Sequence, residues 1–250
     1  MNKIIVANWK MNPQSKKEAE VLFNSISKGI KNIKNSQIII CPPFPFLSVF
    51  GNNKSKKIFL GAQNVSIENE GSHTGEVSAS MIFSMKGKYA IVGHSECRSS
   101  GETNKTVNTK ILNLIRNKIS PIVCVGEKDR DHDGNYLSFI EDQIRECLNG
   151  VSKTQIKNLI IAYEPVWAIG KNATREATKE EFIEMKIFIK KVISDLYDSK
   201  IAHSIPILYG GSVNSLNAKS FAIEGGADGL LVGRDSLNPK KFEAILNALK

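Results

Sequence analysis

Short apolar runs and longer amphipathic stretches alternate along the chain. The short runs have the length and branched side chains of buried strands, and the longer stretches repeat apolar positions at the spacing of a helix face. The strand-length runs are Ile4–Ala7, Ile38–Cys41, Ile58–Ala62, Tyr89–Val92, Ile122–Val125, Leu159–Tyr163, Ile207–Tyr209 and Leu230–Val232. The helical stretches include Lys16–Ile30, Thr106–Arg116, Tyr136–Leu148, Thr178–Leu196 and Pro239–Leu249. Strands that alternate with helices pair in parallel, so the pattern predicts an α/β protein.

Nothing in the sequence divides these units between separate domains. No linker, low-complexity segment or shift in composition interrupts the 250 residues. The alternation favours a single closed (β/α)8 barrel over residues 1–250, although an open doubly wound sheet fits the same pattern. Two helix starts are marked: Thr178 stands three residues before Glu181, as in a capping box, and Asn238 precedes Pro239.

The composition is that of a protein with a full apolar core. Hydrophobic residues make up 41% of the chain, but no apolar run approaches the length of a transmembrane span. The chain starts with one lysine and a four-residue apolar run, shorter than the core of a signal peptide. We therefore expect a mature, cytoplasmic protein with no membrane partner. Its four cysteines form no Cys-x-x-Cys pair, which argues against a disulfide framework and a zinc site.

The net charge of +9 raises the question of a nucleic-acid partner. The lysines are dispersed along the chain and do not alternate with aromatic residues in a basic patch. We therefore expect a solvated basic surface and no nucleic-acid partner. Such a surface also attracts anionic metabolites.

Polar residues and glycines follow five of the predicted strands. In a barrel, all the strand C-termini share one face, so residues in these positions meet at one site. A random scatter would place about half of them on the opposite rim. The candidates are Asn8 and Lys10 after the first strand, His94 after the fourth, Glu164 after the sixth, Gly210, Gly211 and Ser212 after the seventh, and Gly233 and Arg234 after the eighth.

Glu164 is the candidate general base. It stands at a strand end before Pro165, whose ring removes an N–H and fixes φ. The loop that follows, Val166 to Gly170, is apolar, and an apolar flap over a carboxylate excludes water from a reaction. The structural alternative is a buried strand end with a satisfied glutamate.

Two further side chains have the chemistry to act on a carbonyl. His94 lies just before a predicted helix start, where the helix dipole favours the neutral ring, and a neutral imidazole can donate a hydrogen bond to a carbonyl. Lys10 follows Trp9, whose apolar ring is expected to keep the ammonium near low-dielectric surroundings. A lone histidine is more often structural, and a lone lysine is more often at the surface.

The glycine-rich turns after the last two strands are candidate phosphate sites. Without a Cβ, backbone N–H groups can approach an anion closely, and barrels often hold phosphate at this position. Glycines also serve simply to make a turn tight. No nucleophile with an adjacent base stands out, and no cluster has metal-ligand spacing. Together, the candidates favour proton abstraction beside a carbonyl on a phosphorylated substrate.

With these residues assembled, the sequence closely resembles the triosephosphate isomerase family over essentially the whole chain. The segments that carry the resemblance, in order, are Ala7–Asn12, Gly61–Asn64, Thr74–Glu76, Gly93–Glu96, Cys124–Glu127, Tyr163–Gly170, Tyr209–Val213 and Gly225–Gly229. The resemblance implies the TIM barrel fold. It also implies the interconversion of dihydroxyacetone phosphate and D-glyceraldehyde 3-phosphate through an enediolate, in glycolysis and gluconeogenesis, without cofactor or metal.

The resemblance also implies residue roles. Glu164 is then the base, His94 the electrophile, Lys10 with Asn8 the polar support, and Glu96 a carboxylate near Lys10. The substrate phosphate is then held by the backbone N–H groups of Gly170, Ser212, Gly233 and Arg234. Family members are typically homodimers in which a loop like that around Thr74 reaches the neighbouring subunit's lysine and histidine.

Three positions depart from the family pattern. Cys97 stands where the family usually has arginine, although Arg98 keeps the next one. Arg234 replaces what is commonly a second glycine, and the sequence leaves the orientation of its side chain open. After Gly170 the family usually continues Thr-Gly-Lys, whereas here Lys171 follows directly. We therefore expect activity to be intact and closure of the flap to be altered.

Two other functions compete with the isomerase. One is a related enzyme acting on a four-carbon sugar phosphate, which needs a larger or rewired pocket near the flap. The other is a phosphate-binding protein that has lost catalysis. The presence of Asn8, Lys10, His94 and Glu164 argues against the binder, which needs no base beside a carbonyl.

Overall fold

The protein is a closed barrel of eight parallel strands, seen in a computed structural model that describes residues 2–30, 33, 36–51, 53, 55–170 and 173–249. Each strand pairs with the next along the chain, and the last pairs with the first. The strands are β1 (Lys3–Asn8), β2 (Ser36–Cys41), β3 (Ile58–Ala62), β4 (Tyr89–Val92), β5 (Ser120–Val125), β6 (Ile160–Tyr163), β7 (Ile207–Tyr209) and β8 (Gly229–Val232). The predicted barrel is therefore confirmed, and the closing β1–β8 pairing excludes the open sheet.

Helices connect the strands on the outside of the barrel. They are α1 (Lys16–Gly29), α2 (Ala79–Ser84), α3 (Ser95–Ser99), α4 (Asn104–Arg116), α5 (Asn135–Cys147), α6 (Lys179–Leu196), α7 (Ser199–Ser204) and α8 (Pro239–Asn247). Short 3₁₀ helices at Phe44–Phe50, Ile156–Asn158, Val166–Ala168 and Arg234–Leu237, and a π-helical turn at Ser220–Glu224, complete the connections. The five helical stretches that the sequence predicts correspond to α1, α4, α5, α6 and α8. No helix in the described part of the chain is long and apolar enough to cross a membrane.

Both marked helix starts form as predicted. Thr178 Oγ1 accepts the Glu181 N–H at 3.2 Å, and the Glu181 carboxylate accepts the Thr178 N–H at 2.8 Å, which completes a capping box at the start of α6. Asn238 Oδ1 accepts the N–H groups of Lys240 and Lys241 above Pro239 at the start of α8. Such caps satisfy donors that a helix leaves unpaired, and each contributes about 1 kcal/mol.

The core has two layers because successive strand residues point to opposite faces. Val6, Ile39, Ile91 and Ile122 belong to one buried cluster, which fills the barrel interior. Their strand neighbours belong to a second and larger cluster, which packs between the strands and the helices. A strand buried on both faces needs an unbroken apolar run, which is the pattern that the sequence displays.

The closure between β8 and β1 depends on a missing side chain. Gly229 pairs with Ile4, and a Cβ at position 229 would overlap the Ile4 carbonyl group. We predict that Gly229→Ala lowers the free energy of unfolding by about 3 kcal/mol, because the two backbones must separate to admit one methyl group. Chemical denaturation followed by circular dichroism measures this loss.

Gly29→Ala is the matched control for this measurement. Gly29 ends α1, and a Cβ there meets only the flexible Glu243 carboxylate, at 3.2 Å. Its stability should stay within about 1 kcal/mol of the original, since alanine is the better helix former. If the two variants unfold alike, the close approach of β8 to β1 does not limit the barrel.

Candidate active site

A cavity of about 620 Å³ opens at the C-terminal ends of the strands. It brings together all but one of the site residues that the sequence predicts. Those that line it are Asn8, Lys10, His94, Glu96, Glu164, Gly170, Ser212, Gly233 and Arg234. The exception, Thr74, lies in an exposed loop outside this cavity.

Glu164 follows the last residue of β6 and is buried, with 2% of its surface exposed. Its backbone N–H donates to the Val125 carbonyl at 2.8 Å, which extends the barrel ladder by one residue. The Ser95 N–H donates to Glu164 Oε2 at 2.8 Å. Oε1 has no hydrogen-bond partner among the described residues. One carboxylate oxygen is thus held in place while the other is available to accept a proton.

His94 precedes the first residue of α3, the placement that the sequence predicts. Its Nδ1 accepts the Glu96 N–H at 3.2 Å, so this nitrogen carries no proton. The neutral ring then carries its proton on Nε2, which lies 3.3 Å from Glu164 Oε1. The base and a hydrogen-bond donor therefore face the same point in the cavity.

Lys10 is held in the cavity by its backbone and by a carboxylate. Its φ of 52° lies in the left-handed region, and its N–H donates to Asn8 Oδ1 at 3.0 Å. The Gln63 amide donates to the Lys10 carbonyl at 2.8 Å. Lys10 Nζ pairs with Glu96 Oε1 at 2.5 Å, which agrees with the carboxylate expected near this lysine.

The role expected of Trp9 is wrong. Its side chain is fully buried in the layer between strands and helices, where it packs against Phe50 with ring centroids 5.9 Å apart. Asn8, the last residue of β1, points to the opposite face of the strand, and both Asn8 and Lys10 line the cavity. Asn8, Gln63 and Glu96 therefore surround Lys10 in place of the indole ring.

Four backbone N–H groups of residues that line the cavity have no acceptor among the described residues. They belong to the four residues predicted to hold phosphate, namely Gly170, Ser212, Gly233 and Arg234. The Gly210 N–H, in contrast, already donates to the Tyr163 carbonyl at 2.8 Å. Unpaired N–H groups that line one cavity form a ready anion site.

The tight-turn explanation also holds for two glycines of this region. A Cβ at Gly211 would overlap the Tyr209 hydroxyl, whose ring stacks on Phe221 with centroids 3.6 Å apart. A Cβ at Gly210 would lie 3.1 Å from Glu164 Cγ. These glycines let the turn pass close to the buried base and to the core.

An arginine that the sequence analysis did not assign to the site holds the turn that carries His94. Arg98 Nε donates to the Gly93 carbonyl at 2.8 Å, and its Nη groups donate to Asn104 Oδ1 and the Cys124 carbonyl at 2.6 and 3.3 Å. The same turn receives a second support, since Glu102 accepts the Gly93 N–H at 2.9 Å and pairs with the buried Lys110. The family motif was the only sequence signal for Arg98.

Two further supports were missed because they depend on close approach between distant residues. A Cβ at Gly126 would overlap the Glu164 carbonyl group, so only glycine lets β5 and β6 end this close together. The buried Gln143 side chain accepts the Gly126 N–H at 2.9 Å and donates back to its carbonyl at 3.3 Å. Nothing in the local sequence around Gln143 indicates this contact.

The predicted flap begins with a buried anchor. Glu127 Oε1 accepts the Tyr163 hydroxyl at 2.7 Å and the Trp167 indole N–H at 2.8 Å. Burial raises the pKa of Glu127, and these two hydrogen bonds oppose the rise. The Thr174 N–H donates to the Trp167 carbonyl at 2.9 Å on the far side of the flap. The departure predicted to alter closure falls on Lys171 and Asn172, which lie outside the described residues.

Comparisons with known proteins agree on one family. The family model "Triosephosphate isomerase" matches residues 3–249. A triosephosphate isomerase from Dictyoglomus thermophilum is 41% identical over 98% of this chain and 99% of its own length, and one from Aquifex aeolicus is 42% identical over the same shares. A triosephosphate isomerase from Borrelia garinii subsp. bavariensis is 40% identical over 97% of both chains.

Proposed function

The chain belongs to the triosephosphate isomerase family, and we infer that it interconverts dihydroxyacetone phosphate and D-glyceraldehyde 3-phosphate by proton transfer through an enediolate. This is a step of glycolysis and gluconeogenesis. The observation that carries the mechanism is the facing pair of Glu164 Oε1, which has no partner among the described residues, and His94 Nε2 at 3.3 Å. The isomerisation moves one proton from a carbon to its neighbour and a second proton between the oxygens of these two carbons, so the reaction calls for a base, a donor to oxygen and a site for phosphate.

We propose Glu164 as the base that removes the proton beside the carbonyl. The hydrogen bond from Ser95 to Oε2 fixes the carboxylate, and its burial excludes water that would otherwise solvate the anion. A base held within hydrogen-bond reach of its proton contributes by positioning as well as by basicity. The same carboxyl group returns the proton to the neighbouring carbon.

His94 and Lys10 are proposed to stabilise the oxygens that become negative. Nε2–H of the neutral imidazole donates to the developing enediolate, and the Lys10 ammonium supplies the nearby positive charge. Donors that are already in place at the start of the reaction cost no reorganisation. Glu96 accepts from Lys10 and through its N–H orients His94, so it positions both groups.

The substrate phosphate is proposed to bind the free N–H groups of Gly170, Ser212, Gly233 and Arg234. Phosphate needs several donors at once, and these four line the same cavity as Glu164. Turnover on D-glyceraldehyde 3-phosphate, measured beside erythrulose 4-phosphate, tests the substrate class. Faster turnover of the four-carbon compound would favour the related enzyme, and turnover of neither would favour the phosphate binder.

We also propose that the protein is a cytoplasmic homodimer. The loop that carries Thr74 is exposed, and it contains two glycines at positive φ, Gly71 and Gly75, that let it fold back on itself. Met11, the residue after Lys10, is 83% exposed, and Met81 is 56% exposed. A contiguous group of exposed apolar side chains is typical of a surface that a partner covers.

We predict that Glu164→Asp keeps the fold and slows kcat by about a hundredfold or more. Shortening the side chain by one methylene withdraws the carboxylate from its near-attack position, where an error of about 1 Å costs this much. Steady-state kinetics should show KM changed far less than kcat. Glu20→Asp, at an exposed position of α1, is the control. A large rise in KM with kcat intact would contradict the assignment of the base.

Replacement of His94 by glutamine should raise the activation free energy by roughly 2–4 kcal/mol, and so lower kcat, as for the loss of an oxyanion donor. The glutamine amide cannot reproduce both the bond from Glu96 and the donor toward the carbonyl. Single-turnover kinetics separate this effect from product release. His203→Gln on α7 should leave kcat unchanged. An unchanged kcat in His94→Gln removes this residue from the mechanism.

Thr74→Arg should convert the proposed dimer to a monomer with lower kcat, because a long charged side chain replaces a small one in the loop that enters the partner. Sedimentation equilibrium measures the mass, and kinetics are followed at the same concentrations. Ile187→Arg, at a 65% exposed position on α6, should stay dimeric and active. A fully active monomeric wild type would overturn the dimer proposal.

A further inference from the structure

The cavity extends beyond the residues proposed to hold the substrate. Its volume of about 620 Å³ lies within the range of about 300–1,000 Å³ that encloses drug-sized ligands, which are larger than a three-carbon phosphate. The 3₁₀ helix after β8 and the start of α8 form the additional wall, with Arg234, Asp235, Leu237 and Lys241. We call these four residues the outer wall.

The outer wall leads away from the catalytic residues. Gly233, just before it, faces Lys10, since a Cβ at position 233 would lie 3.4 Å from Lys10 Cε. Leu237 lines both this cavity and a neighbouring groove, which lies against α1 and also includes Val21. The outer wall therefore joins the proposed phosphate site to the mouth of the cavity.

The cations of the cavity differ in whether a carboxylate neutralises them. Lys10 pairs with Glu96 at 2.5 Å, and Lys241 pairs with Asp235 at the longer distance of 3.5 Å. Arg234 forms no ion pair or side-chain hydrogen bond with the described residues. Among the described residues that line the cavity, it is thus the cation whose charge remains available to a ligand.

A neutral donor lies near the same end of the cavity. Asn214 lines the cavity, and its Oδ1 accepts the N–H groups of Leu216 and Asn217 at 2.8 and 3.1 Å. The side-chain NH₂ group is left as its remaining polar group. Because its oxygen already accepts two hydrogen bonds, the Asn214 side chain offers a ligand its NH₂ group, which is a donor.

We propose that the outer wall is a subsite for a second phosphate group, so that the cavity binds a diphosphate. One phosphate occupies the N–H groups of Ser212, Gly233 and Arg234, and the second contacts the Arg234 guanidinium, with Lys241 adding charge. This inference rests on the proposed function, which places the first phosphate. A guanidinium presents parallel donors that match two phosphate oxygens.

The linkage follows from the position of Arg234. Its backbone N–H belongs to the first phosphate position and its side chain to the second, so the two positions are neighbours. A phosphoanhydride joins two phosphates through a single oxygen, whereas the phosphates of a sugar bisphosphate are separated by a carbon chain. A diphosphate bound in this way occupies the substrate's phosphate position and is a competitive inhibitor.

Calorimetric titration with inorganic phosphate and with pyrophosphate, in metal-free buffer, tests the subsite on the intact protein. We expect pyrophosphate to bind about tenfold more tightly than phosphate, equal to about 1.4 kcal/mol. Arg234→Gln should remove most of this preference. Lys240→Gln makes the same change in net charge at an exposed position beside Lys241 that does not line the cavity, and it should keep the preference.

Each result separates this inference from the function on which it rests. Equal affinity of the wild type for the two anions, or an undiminished preference in Arg234→Gln, overturns the subsite. Isomerase turnover is measured on the same preparations. Turnover without the preference overturns the subsite alone, and the preference without turnover overturns the proposed function alone. If neither anion binds and turnover is absent, both fail.

Discussion

Closure of the barrel is the constraint on which the site depends. Ile4 and Gly229 form the pairing that joins the last strand to the first, and their backbones approach so closely that no side chain fits at position 229. This closure brings Gly233 close to Lys10, since a Cβ at position 233 would lie 3.4 Å from Lys10 Cε, although the two residues belong to opposite ends of the chain. The proposed phosphate donors and Lys10 therefore share one cavity because the sheet has no edge.

Within the closed barrel, the position of the base is determined by backbone contacts. Gly126 and Gly210 allow neighbouring strand ends to approach Glu164, and the Ser95 N–H holds one of its oxygens. The Arg98 side chain holds the turn that carries His94 by donating to the Gly93 carbonyl. Hydrogen bonds to a backbone leave a group little freedom, so Glu164 and His94 are already in place for the roles proposed for them.

The barrel could be predicted from sequence because each strand is buried on both faces and appears as a continuous apolar run. The helices α2 and α7 could not, since six residues do not establish a period, and of α3 only the start after His94 was expected. Glu164 and His94 were found because strand ends converge in any barrel. Gln143 was not, because its partner Gly126 is 17 residues away and their contact exists only after folding. Trp9 was misassigned although its alternation with Asn8 already indicated the opposite face.

Arg234 shows how a barrel of this kind can change its ligand without disturbing its chemistry. The family commonly has glycine here, but the backbone of Arg234 is not in the left-handed region, so a side chain adds no strain. The 3₁₀ helix that begins at Arg234 fixes the backbone, so the position of the N–H group does not depend on which side chain the residue bears. The side chain is exposed and has no structural partner among the described residues. In the proposed site, recognition of the first phosphate therefore belongs to the backbone, while recognition of anything beyond it is open to change by one substitution.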